Sequence, residues 1–160
     1  MHTTKNDIPA EKRASLAQLL NERLADLIDL GLQAKQAHWN VKGPNFIAVH
    51  KLFDEIAEEI EDYIDDVAER TVALGETAEG TVGIVGKRTK LPAYPTNISN
   101  ERDHVEAFST ALAATGKSVR AAIDKSTELG DADTADLFTG ISRGLDKSLW
   151  FVEAHLQGDK

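Results

Sequence analysis

The stretch QAHWNVKGPNFIAVHKLFDEI, residues 36–56, places two histidines, His38 and His50, on either side of a Gly43-Pro44 break. Trp39 stands beside the first histidine, and Asp54 lies one helical turn after the second. Glycine and proline both oppose helix continuation, so the pair predicts that one helix ends and another begins within a few residues. Upstream, Leu16, Leu19, Leu20, Leu24, Leu27, Ile28 and Leu32 recur at spacings of three and four, which predicts an amphipathic helix from about Ala10 to Trp39 with Pro9 just ahead of it. Gly31 interrupts that pattern at a cost of about 1 kcal/mol relative to alanine. Downstream, Asn45 is the expected N-cap of a second helix that runs to about Leu74 without internal glycine or proline.

The rest of the chain repeats this punctuation. Residues 75–98, glycine-containing and carrying Pro92 and Pro95, read as a long connection with one short helical turn near Val82 to Val85. A third helix is expected from about Ser99 to Leu129, and Gly130 ends it. Asp131 and Asp133 are the expected caps of a fourth, which runs to about Leu156. Strand-like alternation appears nowhere. The pattern predicts an all-α protein, a four-helix bundle with one long crossover connection in its middle. Residues 1–160 are read as a single domain, with a flexible tail over 1–9 and a short C-terminal tail over 157–160.

Composition narrows the chemistry. The chain has no cysteine, so disulfides, zinc–thiolate sites and thiol nucleophiles are excluded. No apolar run approaches a membrane span, and the first residues, MHTTKNDIPAEKRAS, lack the apolar stretch of a secretory signal. A cytoplasmic protein with no membrane partner is therefore expected. The net charge of −9 disfavours general attraction to phosphate backbones and suits a protein that gathers cations.

The second predicted helix carries two faces. Val49, Leu52, Phe53, Ile56, Ile60, Tyr63 and Val67 occupy one arc, while Asp54, Glu58, Glu61, Asp65 and Glu69 fall within about 100° of His50 beside it. An acidic run such as EEIEDYIDD is most often a solvated face. His50 with Asp54, and Asp65 with Glu69, are nevertheless i,i+4 pairs, the spacing at which two side chains of one helix reach one ion. Imidazole and carboxylate donors without thiolate suit iron, manganese or zinc. Asp54 and Asp65 are about 16 Å apart along the axis yet only about 20° apart in direction, so one chain cannot bring them to one ion. An identical helix packed antiparallel across a two-fold axis near residues 59 and 60 would set His50 and Asp54 of one copy against Asp65 and Glu69 of the other, forming two equivalent sites at once. His38, at the end of the preceding helix, is placed to complete the first half.

These residues resemble the Dps family, the mini-ferritins named as DNA-binding proteins from starved cells. The resemblance runs from about Ala10 to Leu156, and its most specific part is AHWNVKGPNFIAVHKLFDE followed by DDVAER. His38 before Trp39, His50, Asp54, Asp65 and Glu69 fill every position of the family's ferroxidase pattern. Tyr94-Pro95, DTAD at Asp133 to Asp136 and DKSLWFVEA near the end agree as well.

The resemblance implies a ferritin-like bundle assembled as a hollow dodecameric shell. It implies ferroxidase sites at two-fold interfaces, with His38, His50 and Asp54 from one subunit and Asp65 and Glu69 from its partner. Each would take two iron ions (zinc or manganese as substitutes) and oxidise iron(II) with hydrogen peroxide or oxygen. Iron(III) would mineralise inside, protecting the cell from oxidative damage. Asp131, Asp133 and Asp136 are the residues it suggests for an iron entrance, with helix capping as their other role. Trp39 is either an electron donor that quenches one-electron leakage or an interface aromatic, and Glu58 and Glu61 either hold iron in transit or face solvent. Typical ferritins pair two Glu-x-x-His motifs inside one bundle; here the single string Glu101 to His104 has no mate and reads as a helix-surface coincidence. The alternative function is a nucleoid-associated protein that compacts DNA in starved or stationary-phase cells. For that the tails offer little: Lys5, Lys12 and Arg13 are offset by Asp7 and Glu11, and Lys160 by Asp159. DNA binding, if any, is expected to be weak. His2 is either an accessory ligand or an unengaged terminal residue.

Overall fold

The computed structural model describes residues 2–158, so Asp159 and Lys160 of the expected C-terminal tail lie outside the described residues. It contains five helices: α1 (Ala10–Asn40), α2 (Phe46–Ala73), α3 (Val82–Arg88), α4 (Glu101–Leu129) and α5 (Ala132–Glu153). Among the described residues there is no strand, only an isolated bridge between Lys42 and Asn100. The four long helices form the bundle. α1 packs along α2 and α4 along α5, the two hairpins close through α1–α4 and α2–α5 contacts, and α3 sits on α1 within the crossover. Among the described residues no helix is long and apolar enough to cross a membrane.

The boundaries follow local chemistry. α4 begins at Glu101, two residues later than expected, because the Asn100 side chain accepts the Asp103 N–H and is the working cap. Gly130, at φ 81°, closes that helix in the left-handed conformation that glycine adopts without penalty. Asp131 caps α5 by accepting the Thr134 N–H, while Asp133 sits in the first turn and is no cap. α3 runs to Arg88, longer than the single turn expected, and α5 stops at Glu153, short of Leu156. Asn45 holds the N-cap position of α2 but makes no capping bond with its side chain. Its amide is drawn instead to the carboxylate of Glu101.

Phe53, Phe108 and Phe138, with Leu16, Leu20, Leu24, Leu27, Leu30 and Ile60, fill the interior. Leu32 departs from the expected apolar stripe and is 57% exposed. The segment before α1 is laid against the turn after α2. The His2 N–H donates to Gly75 O at 2.6 Å, and the buried Arg13 donates to Ile8 O and to Leu74 O, at 2.9 and 3.1 Å. Arg13 is thereby occupied in satisfying carbonyls at a helix end and is not a cation of a free tail.

One polar contact is set inside the bundle between α2 and α5. The Tyr63 hydroxyl donates to Glu59 at 2.7 Å, and Ser148 donates to the other oxygen of that carboxylate at 3.0 Å. Burial first, and then the hydrogen bond to Glu59, push the Tyr63 phenol well above its ordinary pKa. The approach is possible because residue 144 has no side chain: a Cβ there would stand 1.8 Å from the Tyr63 hydroxyl oxygen and 2.8 Å from the ring carbon bearing it. Gly144→Ala is expected to lower stability by about 1–3 kcal/mol through overpacking. Gly140→Ala, on the same helix with nothing within 4 Å of its new methyl, is expected to raise it by about 0.5–1 kcal/mol. Thermal denaturation of the two variants beside the parent measures both signs.

Candidate metal centre

The turn between α1 and α2 is held from outside. The Lys42 N–H donates to Ser99 O at 2.8 Å, and the Glu101 carboxylate accepts both the Asn45 N–H and its side-chain amide, each at 3.0 Å. Gly43 lies against Glu101 so closely that a Cβ would come within 2.7 Å of Oε2. An anion at the start of α2 also faces the positive end of that helix. Glu101, in the string expected to be a surface coincidence, therefore clamps the turn that carries the histidines.

Within the turn the two imidazoles meet. The His38 and His50 rings stack at 3.8 Å between centroids, 18° from parallel, with Phe46 4.9 Å from the His50 ring. Nδ1 of His38 is 2.7 Å from His50 O, and Nδ1 of His50 is 2.8 Å from His38 O. A carbonyl oxygen only accepts, so each Nδ1 carries the hydrogen and donates it. With Nδ1 so committed, Nε2 is the nitrogen of each ring left to ligate. This is the tautomer a metal ligand needs, fixed by the bond at the other nitrogen. The donor set thus fits a divalent cation.

Asp54 is one turn beyond His50, and its Oδ1 is 3.9 Å from His38 Nε2. The same oxygen accepts a hydrogen bond from the Lys35 ammonium. That bond holds the Asp54 carboxyl below the ordinary 3.8, against partial desolvation and with the help of the nearby imidazoles. Lys35 was not evident from the motif. The available signal was its position three residues before His38, on the same side of α1.

Asp65 and Glu69 lie further along α2, both exposed and with no hydrogen bond or ion pair among the described residues. Among the described residues no three histidine or acidic side chains of one chain are placed to hold an ion together. The five side chains therefore fall into two groups, His38, His50 and Asp54 in one and Asp65 with Glu69 in the other. Glu58 and Glu61 are exposed on the same stripe, and Trp39 is 65% exposed beside His38. A groove of about 860 Å³ lies between α1 and α3 among Arg23, Glu79 and Arg88, and none of the five side chains lines it, nor do Glu58, Glu61 or Trp39.

At the start of α5 the three aspartates separate. Asp131 is buried and receives two hydrogen bonds from one Arg70 nitrogen, at 2.9 and 2.8 Å, and another from the Thr134 hydroxyl. Burial disfavours its charge, but Thr134 and Arg70 outweigh that and keep the carboxyl below its usual range. Its oxygens are thereby committed within the chain. Asp133 and Asp136 are exposed.

The chain matches the family model of the ferritin-like domain over residues 17–160. It is 51% identical over 156 residues to the DNA protection during starvation protein of Agrobacterium fabrum, covering 98% of this chain and 96% of that protein. Its fold superposes on Mycobacterium smegmatis Dps with a TM-score of 0.92 at 34% identity, covering 98% of this chain and 94% of the other. The chain belongs to the Dps family of ferritin-like proteins. A further Dps, that of Microbacterium arborescens solved in a high iron form, superposes with a TM-score of 0.87 at 35% identity over 97% of this chain and 99% of that one.

His104, the other half of the single Glu-x-x-His string, is not at the surface of this Dps chain: it is 1% exposed and hydrogen-bonded through Nδ1 to the Tyr94 hydroxyl at 2.8 Å. It fastens the crossover to α4. Burial pushes its pKa below the ordinary 6.5, with the Asp103 charge pulling the other way. The unfolded chain therefore takes up this proton at a higher pH than the folded one, so the contribution is complete above about 6.5 and is lost as pH falls from there toward the depressed folded value. Denaturation of the parent and His104→Gln on both sides of 6.5 is expected to show the parent losing stability with acid more steeply than the variant.

Proposed function

We propose that this Dps chain is an iron-oxidising and iron-storing mini-ferritin, working as a hollow homododecamer whose ferroxidase sites are each completed by a second subunit. The observation that carries the reading is the locked histidine pair, with both Nε2 atoms left as ligands and Asp54 beside one of them. The remaining carboxylates, Asp65 and Glu69, project from the same stripe of the same helix at a distance that one chain cannot close. A second copy, antiparallel across a two-fold axis near the middle of α2, supplies them. Leu32, exposed one turn from Lys35 on the same side of α1, is an apolar side chain that such a partner would cover.

Iron(II) is the substrate. Two ions held together give up one electron each to one hydrogen peroxide; with two protons this yields two iron(III) and two water molecules, and no hydroxyl radical is released. Anionic ligands favour the trivalent product over the divalent substrate, which lowers the potential of the couple. Trp39, exposed beside His38, is placed to supply an electron where only one iron is present. Asp133 and Asp136, exposed at the start of α5, are left as the acidic residues of an iron entrance once Asp131 is committed to Arg70. Protection then comes from removing iron(II) and peroxide, and the net charge of −9 gives no support to duplex contact.

The test follows iron(III) formation after iron(II) and peroxide are mixed at low stoichiometry. Asp65→Ala with Glu69→Ala, and separately His38→Ala with His50→Ala, are each expected to slow oxidation by roughly 10–100-fold or more. Shells reassembled from equal amounts of the two inactive chains are expected to recover about a quarter of the parental rate, because each mixed two-fold pair rebuilds one of its two sites. A site contained within one chain would recover nothing, and an unchanged rate in either variant would remove those residues from the chemistry.

A further inference from the structure

The Lys35 ammonium is hydrogen-bonded to Asp54 Oδ1. That oxygen also faces His38 Nε2 across 3.9 Å. Oδ1 is the Asp54 oxygen that faces this imidazole, so an ion shared by the two groups competes with the ammonium already on it. Both members of the pair are partly open, 39% and 36% exposed, so the contact is exchangeable with solvent and with ions.

We propose that Lys35 is a built-in competitor for divalent cations at the half-site, a positioning residue that holds Asp54 in place through this contact until a metal ion displaces it. The inference rests on the ligand assignment proposed above. A place for the displaced ammonium exists. Gly31, one turn before Lys35 on α1, faces Ile60 and Ile64 of α2, so the two helices run antiparallel past each other here. A Lys35 side chain leaning back along α1 moves toward Glu58, which is exposed, one turn beyond Asp54, and without a hydrogen bond or ion pair among the described residues.

The exchange selects for charge. A monovalent ion replacing the ammonium gains no electrostatic energy at Asp54, whereas a dication doubles the attraction to the carboxylate and also gains the imidazole lone pairs. The competition also keeps affinity below what the ligands alone would provide. That suits a site through which iron passes as substrate, since an ion held too tightly would not move on to the store.

Zinc(II), which undergoes no redox change, reads the competition by calorimetric titration of the assembled protein. Lys35→Met keeps the apolar stem and removes the charge, and is expected to bind zinc roughly three- to tenfold more tightly than the parent at low ionic strength. Lys35→Gln is expected to shift affinity in the same direction, and Lys35→Arg to stay within about twofold of the parent because the charge is kept. Equal or weaker zinc binding in both uncharged variants would overturn the proposal. Asp65→Ala with Glu69→Ala separates the two levels. If it weakens zinc binding while the Lys35 variants do not tighten it, the competitor role fails and the split site stands. If zinc is indifferent to the double variant while the uncharged Lys35 variants tighten it, the split site fails and the competitor role at the half-site stands.

Discussion

Two imidazoles, each donating Nδ1–H to the other's backbone carbonyl, tie the last turn of α1 to the first turn of α2. The His38 carbonyl lies in the last turn of α1, where it has no partner within the helix, so the exchange satisfies it and both ring N–H groups at the point where the chain reverses. It also fixes the angle at which α2 leaves α1. The acidic stripe of α2 is aimed from there. Because the bonds use Nδ1 on both rings, the same interaction that closes the hairpin leaves both Nε2 atoms able to ligate. Packing and ligation are one constraint at this position.

The turn is reinforced from the other hairpin. Glu101 holds Asn45, Ser99 holds Lys42, and Tyr94 ties the crossover to His104 on α4. A crossover of this length would be loose without such fastenings, since few backbone groups in it pair with each other. The consequence is that the start of α4, which carries none of these side chains, helps to orient His38 on α1 and His50 and Asp54 on α2.

Electrostatics divides the acidic residues by role. Asp131 is buried and neutralised by Arg70, a structural pair that caps α5 and joins it to the end of α2. Asp54 is partly open and paired with Lys35, which keeps it ionised but exchangeable. Asp65 and Glu69 have no hydrogen-bond or ion-pair partner among the described residues. Carboxylates left together and unpaired on one helix repel each other, and a cation or a partner subunit relieves that cost.

Much of this was legible beforehand because helices are local. Periodicity in residues 10–39 and 46–74, the Gly43-Pro44 break and Gly130 depend on neighbours a few positions apart, and the helix limits came out within a few residues. Long-range pairings were not legible. Arg13 reads as a tail cation but is buried on Leu74; His104 reads as a surface residue but is sealed under Tyr94; Asn45 reads as a cap but is claimed by Glu101. Each depends on a contact with another element, which spacing along one helix cannot reveal. By itself the sequence determined that His38, His50 and Asp54 divide from Asp65 and Glu69, because a helix rises by a fixed amount per residue. Only the tertiary structure decided which nitrogen each histidine presents, and that Lys35 stands on Asp54, because both follow from how α1 and α2 lie against each other.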